Sequence, residues 1–455
     1  MLVMRRRLDG LLLLLLLLLC TAPSAAAAIS PQEALLRTKP AVTLVIVEVA
    51  SEVTLTCPGG REQTVTPAPF RETSTGWFVD ASGWLITNAH VVSPAHSPSP
   101  RLSQEQAERA ARSACGEGGM MAAARTAKVT LDPSVSVMLS NGIRLSATVA
   151  KYSPPVTGEA MSGRDLALLR LEASDMPTLP LGDSSRLQIG DRVHILGFPG
   201  VVLTHELLNA SAKAEASVTN GAISGFKQDR AGNPVIQTDA AAALGNSGGP
   251  AVDDRGRVVG VLTFVSDRAE DGAVQGFNFL IPVQAVREFL AGTPAKADQP
   301  GNFDRAWHEG LQKFFAGNYP AAAKPLTEAN RLLPELPDVK RISAENAEGI
   351  KNPPPHPFPW ALVAAVFAAV SIGAVGGFAW LRWKRNRFRI RASEVARLVD
   401  TSPDPPLILD VRDASTYDKS PVQLPNARHL APEALARGAS PLTIEPTRTV
   451  VAYCS

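Results

Sequence analysis

Three polar residues stand where each can take one part in acyl transfer. His90 closes the run Trp77-Phe-Val-Asp-Ala-Ser-Gly-Trp-Leu-Ile-Thr-Asn-Ala-His90, Asp165 opens Asp165-Leu-Ala-Leu-Leu-Arg-Leu, and Ser247 lies inside Gly245-Asn-Ser-Gly-Gly-Pro250. A serine hydroxyl is a weak nucleophile until a histidine accepts its proton. The histidine in turn needs a carboxylate to fix its tautomer and to stabilise the imidazolium that forms. Glycines around Ser247 let the chain turn sharply, so that the amide N–H groups of Gly245 and Ser247 can converge on one point as an oxyanion hole. Each piece alone has an ordinary reading: a satisfied structural histidine, a turn aspartate before an apolar strand, a glycine-rich loop or anion nest. Together, in the order His, Asp, Ser and each at the edge of a β-segment, they read as a catalytic triad.

The elements that must position these residues are short strands. From about Thr43 to Ile281 many brief apolar runs are broken by Gly, Pro, Asn and Asp, and Asn141-Gly142 between alternating segments signals a hairpin. This is an all-β region of barrel or sandwich type. Residues 93–128 interrupt it with Ser, Pro, Ala and charge, and with a helix over Ser103–Ala111; they read as a surface insertion that buries little.

At 455 residues the chain is too long for one core, and several domains are expected. A formal net charge of +2 and few aromatics exclude a nucleic-acid binder that relies on a broad basic surface. Nothing in the sequence calls for a cofactor or a metal.

Arg5-Arg6-Arg7, the leucine run Leu11–Leu19 and small residues through Ala28 form a secretory signal pattern over residues 1–28, with Ala26-Ala27-Ala28 as a cleavage site. Cys20 follows Leu19, where a lipoprotein signal wants a small residue. A second apolar stretch, Trp360–Leu381, carries no charge and is long enough to cross a bilayer. Trp360, Trp380 and Trp383 flank it, and Arg382, Lys384, Arg385, Arg387, Arg389 and Arg391 follow, which predicts a transmembrane helix with its C-terminal side cytoplasmic. Everything between the two apolar segments is then extracytoplasmic, on the periplasmic side of an inner membrane. There Cys57 and Cys115 can pair if their Cα atoms come close enough, which sequence does not decide.

Residues 302–345 turn helical in period after a linker, with Ala306, Gly310, Phe314, Phe315, Tyr319, Ala322, Ala323, Leu326, Ala329 and Leu332 on apolar or small positions. They resemble one tetratricopeptide-type helix pair. A single pair cannot bury its own face, so it docks on the rest of the chain, on a partner or on another copy, or it is a plain helical hairpin. Residues 353–359 are a proline-rich linker.

The triad segments resemble the HtrA/Deg family of trypsin-like serine proteases over about residues 74–286, in Pro180-Leu-Gly-Asp-Ser, Ile189-Gly-Asp, Leu196-Gly-Phe-Pro-Gly, Asn246-Ser-Gly-Gly-Pro and Gly276-Phe-Asn-Phe-Leu-Ile-Pro. The resemblance implies a double β-barrel over residues 40–293, a cleft between the barrels, and peptide hydrolysis through an acyl-enzyme. It implies a specificity pocket with Ala241 at its floor and Thr263, Phe264 and Val265 along its wall, hence an apolar residue before the scissile bond. The 93–128 insertion then lies near the cleft rim, as a lid, a partner site or a neutral loop. The family usually carries a PDZ module after the protease; none is evident here. Residues 392–455 resemble the front of a rhodanese domain in Leu409-Asp-Val-Arg-Asp413, Pro425-Asn-Ala-Arg-His-Leu and Ala452-Tyr-Cys454, with Cys454 where such a fold keeps its sulfur-accepting thiolate but without the loop that cradles it.

The sequence therefore predicts a mainly β, membrane-anchored serine endopeptidase acting on exported or misfolded proteins, with homo-oligomers implied by the resemblance. The competing reading is a protease-like chaperone or sensor that binds unfolded or partner proteins.

Overall fold

The computed structural model describes residues 29–155, 163–265, 276–353, 359–437 and 442–454. The signal pattern of residues 1–28 and most of the proline-rich linker lie outside them. The chain divides into two compact units, Met1–Pro354 and Pro355–Ser455.

In the first unit, fifteen residues of alternating and continuous apolar character make β1 (Val42–Thr56), the longest strand. It pairs antiparallel with β2 (Glu62–Val65), β3 (Phe70–Asp80) and β5 (Lys128–Met138). The sheet continues through β4 (Trp84–Thr87), β7 (Leu166–Leu171) and β6 (Arg144–Ser153) back to β5, so it closes on itself through β1. The β5–β6 connection is the expected hairpin: Gly142 adopts φ +84°, and the Asn141 side chain accepts a bond from the Ile143 amide at 3.1 Å. Strands β8 (Arg192–Gly197), β9 (Ser217–Gln228), β10 (Pro234–Thr238), β11 (Pro250–Val252), β12 (Val258–Val265) and β13 (Asn278–Pro282) form a second, closed barrel. The double barrel expected from the sequence is present.

Helix α1 (Pro31–Thr38) leads into β1, α2 (Ala89–His96) follows β4, α3 (Pro100–Thr126) fills the insertion and α4 (Val283–Leu290) follows β13. The insertion corrects the sequence reading in two ways. It buries a small core of its own, Ala110, Ala111 and Ala123 against Val53 and Leu55 of β1, and none of its residues lines the catalytic cleft. A disulfide joins Cys115 to Cys57 just past β1, with the Cα atoms 5.4 Å apart. Gly116, at φ +65°, breaks α3 beside that bridge.

The helical segment is also larger than a pair: α5 (Asn302–Phe315), α6 (Tyr319–Leu332) and α7 (Pro337–Lys351) stack on one another. Its partner is the protease itself. Phe303, Trp307 and Leu311, one face of α5, join Leu326 and Val339 in the same core as Val45, Phe78 and Leu169 of the first barrel. Each fully buried aromatic there stabilises by about 1.5–3 kcal/mol. Polar contacts fix the register. The Trp307 indole donates to the Leu36 carbonyl at 2.9 Å, the Thr178 amide and hydroxyl donate to Asp304 at 3.0 and 2.6 Å, and Lys39 bridges Glu215 and Asp338.

In the second unit, α8 (Trp360–Asn386) is long and apolar enough to cross a membrane. After α9 (Ala392–Thr401) come β14 (Leu407–Asp410), β15 (Arg428–His429) and β16 (Val450–Tyr453), a parallel sheet in the order β15-β14-β16.

Candidate active site

Strand β4 ends at Thr87, and α2 starts two residues later, so His90 sits in the first helical turn. Asp165 stands immediately before β7 at φ +52°, a left-handed conformation that costs a non-glycine residue on the order of 1–3 kcal/mol. Its contacts offset that strain. The Asp165 carbonyl accepts from the Asn88 side chain at 2.9 Å, and one carboxylate oxygen accepts from the His90 amide at 2.9 Å. The other oxygen lies 2.8 Å from His90 Nδ1 and accepts from the Thr263 hydroxyl at 2.5 Å. A carboxylate can only accept, so Nδ1 carries the proton and Nε2 is left unprotonated and able to accept one.

Ser247 follows a turn closed by the Asn246 amide on the Ala243 carbonyl at 3.0 Å. Gly245, third in that turn, adopts φ +95° as a type II turn requires, and a Cβ there would stand 2.4 Å from the Phe198 carbonyl oxygen. Neither the Gly245 amide nor the Ser247 amide has a hydrogen-bond partner among the described residues, which is the condition for an oxyanion hole. The serine backbone is clamped from β3, its carbonyl accepting from Ser74 Oγ at 2.8 Å and from the Thr75 amide at 3.0 Å. The Ser247 hydroxyl donates to the Thr263 carbonyl at 3.3 Å. That hydroxyl makes no hydrogen bond to His90 among the described residues, so it has to leave the Thr263 carbonyl before it could give a proton to the imidazole.

His90, Asp165, Ser247 and Thr263 line one cavity of about 670 Å³. The surroundings of His90 shift its titration. Burial works to lower the His90 pKa, but the bond to Asp165 and the charges of Asp165 and Glu72 outweigh it and raise the value above the ordinary imidazole range. Glu72, half-buried on β3, is itself pushed up by burial. Among the described residues no group of three or more His, Cys, Asp or Glu side chains could hold a metal ion.

The sequence-predicted pocket residues separate. Thr263 lines the cavity, where it also holds Asp165, a role that motif reading does not show. Ala241 is exposed and lies outside the lining. Phe264 and Val265 belong to β12, but their side chains fall outside the described residues. The apolar wall comes instead from residues that sequence reasoning did not single out: Leu244, Val235, Phe279, Ile281 and Ala285.

Cys454 is exposed and unpaired just past β16. Beside it Asp410 is buried against Arg412, with contacts of 2.9 and 2.5 Å, and accepts from the Tyr453 hydroxyl at 2.6 Å. The guanidinium holds the Asp410 carboxyl well below the usual carboxylate range.

Residues 74–261 match the family model of the trypsin-like peptidase domain, somewhat less than half of the chain. A probable periplasmic serine endoprotease, DegP-like, from Halomonas elongata is 28% identical over 243 residues, which cover 52% of this chain and 37% of that protein. Serine protease HTR4 from Bos taurus is 28% identical over 269 residues, covering 58% and 42%. The chain thus spans about two fifths of the length of the curated relatives it matches. Among solved structures, an HtrA-type protease AlgW with tripeptide aligns at 23% identity over 57% of this chain and 62% of that one, with a TM-score of 0.36, too low to bear on the fold. Residues 74–261 are thus similar to the trypsin-like peptidase domain, and the chain is similar over about half its length to serine endoproteases of DegP-like and HTR4 type.

Proposed function

We propose that the chain hydrolyses peptide bonds of exported or misfolded proteins, with Ser247 as nucleophile, His90 as general base and then acid, and Asp165 as the group that fixes the His90 tautomer. One observation carries this reading: the 2.8 Å contact of His90 Nδ1 with Asp165 leaves Nε2 free in the cavity that also holds Ser247. Attack by Oγ forms the tetrahedral adduct, whose oxyanion the Gly245 and Ser247 amides receive, each worth on the order of 3 kcal/mol in such a hole. His90 then hands its proton to the leaving amine, and water repeats the cycle on the acyl-enzyme.

The apolar wall supports a preference for an apolar residue before the scissile bond, and Asp229, the acid in the lining besides Asp165, is taken up by its own turn, where it accepts from the Ala231 and Asn233 amides at 2.8 Å. Helix α8, about 40 Å long at 1.5 Å per residue and followed by the basic cluster, supports anchoring in the inner membrane with the protease on the periplasmic side. The DegP-like relatives are named as periplasmic.

The test is digestion of an unfolded protein such as reduced casein by the full chain in detergent, with cut sites mapped by mass spectrometry. Cuts after apolar residues, absent in Ser247→Ala, are expected. Efficient cutting after Arg or Lys would overturn the specificity, and equal digestion by both proteins would overturn the mechanism.

A further inference from the structure

Helix α2 begins without the cap that its sequence offers. Asn88 is its N-cap residue, of a type that ordinarily turns its side chain onto an amide of the first helical turn, and here it makes no such bond. The amide within its reach, that of His90 at the second helical position, donates instead to the Asp165 carboxylate at 2.9 Å. Asp165 thus caps α2 from outside the helix. Asn88 is turned the other way, and its side-chain amide donates to the Asp165 carbonyl at 2.9 Å. Because that partner is a carbonyl, the NH2 end of Asn88 must face it, and Oδ1 is left buried with no partner among the described residues. Two residues 77 positions apart have exchanged bonds.

The exchange matters because of where Asp165 stands. Its φ of +52° is a left-handed conformation that few residues other than glycine adopt without support. The backbone is tied on both sides: the Asp165 amide donates to the Pro154 carbonyl at 3.1 Å, and the Asp165 carbonyl accepts from Asn88. From that anchored backbone the carboxylate reaches the His90 amide with one oxygen, and His90 Nδ1 and the Thr263 hydroxyl with the other. Asn88 itself is fully buried and does not line the catalytic cavity, so any part it takes runs through Asp165.

We propose that Asn88 is a positioning residue for the acyl-transfer chemistry: by holding the Asp165 backbone in its left-handed conformation, it aims the carboxylate at His90 Nδ1. The inference rests on the triad reading given above. Capping alone would not call for asparagine. Serine and aspartate cap a helix about as well, but the first is shorter than the span to Asp165 and the second, ionised, has no hydrogen to donate.

The experiment follows fluorophosphonate labelling of Ser247 against pH in the full chain in detergent, with kcat and KM on a chromogenic peptide and the melting temperature measured on the same samples. Two variants carry it. Asn88→Leu keeps the shape of the side chain and removes the donor. Asn88→Ser supplies a group that can cap α2 itself and keep the helix in place, but that does not reach the Asp165 carbonyl. In each, kcat falls about tenfold to a hundredfold with KM unchanged, as displacement of a positioned group does. The acid limb of labelling also moves to lower pH, because Asp165, which with Glu72 is the charged group acting on His90, raises the imidazole less when it is misaligned. In the Asp165→Asn background Asn88→Ser changes labelling by less than about twofold, since the carboxylate it serves is gone. Wild-type rates and an unmoved acid limb in a folded Asn88 variant, or the same loss repeated in the Asp165→Asn background, would overturn the inference and leave the triad standing. A wild-type chain that does not label at Ser247 would overturn the triad reading, and this inference with it.

Discussion

The catalytic cleft and the interface of α5 with the first barrel use the same kinds of polar contact to different ends. In the cleft the His90 ring, the Asp165 carboxylate and the Thr263 hydroxyl form one connected chain, and the Gly245 and Ser247 amides have no partner among the described residues. At the base of α5 the Asp304 carboxylate takes both Thr178 donors and the Trp307 indole donates to the Leu36 carbonyl, so these groups are paired within the core. Donors held ready for a charge that appears during reaction suit a site for chemistry. Donors and acceptors paired at rest hold a fold together. Substitutions in the first should change rate more than stability; those in the second should change stability more than rate.

The sharpest break is Ser247→Ala. Peptide hydrolysis should fall about a millionfold, as loss of the nucleophile does in comparable triads, while the melting temperature is unchanged. Asp165→Asn should cost about ten-thousandfold in kcat, because an amide at that position stabilises the wrong His90 tautomer; steady-state kinetics on a chromogenic peptide would read it. Loss of less than about tenfold would separate Asp165 from the chemistry.

Trp307→Ala sharpens the comparison from the other side. The indole is buried and bonded to Leu36 in the core that α5 shares with the first barrel, so truncation should cost about 3–5 kcal/mol and lower the melting temperature by several degrees in scanning calorimetry. Hydrolysis at low temperature should persist. If the melting temperature is unmoved, the helices are not part of the protease core.

The smallest expected effect is on pH dependence. His90 must be neutral to accept the serine proton, and its pKa is raised, so kcat/KM should fall with decreasing pH through a value above the ordinary imidazole pKa of about 6.5. Glu72→Gln removes one of the charges that hold it up and should carry that limb to lower pH. An acid limb unmoved by Glu72→Gln would leave Asp165 as the one carboxylate acting on His90.

What the sequence made legible was local. His90, Asp165 and Ser247 could be proposed as a triad because a histidine, an aspartate and a glycine-flanked serine at β-segment edges carry their chemistry in their types, and Asn141-Gly142 announced its own hairpin. What stayed hidden depends on contacts distant in the chain. Nothing near Thr263 says that its hydroxyl will meet Asp165, ninety-eight residues away, and nothing near Trp307 names Leu36 as its acceptor. Helix α7 was missed because Leu336-Pro337 and the charged run after it look like a break, although Val339 and Ile342 pack into the shared core. The insertion looked unable to bury surface because its apolar residues are mostly alanines, which suffice against Val53 and Leu55 once Cys57 and Cys115 hold them close.

The central claim, that Ser247 is a nucleophile activated by His90, is tested most directly by reacting the folded full chain with a fluorophosphonate and mapping the adduct by mass spectrometry. A single adduct on Ser247, lost in His90→Ala, is the predicted result. An adduct on a different residue, or one on Ser247 that forms as fast in His90→Ala, would contradict it.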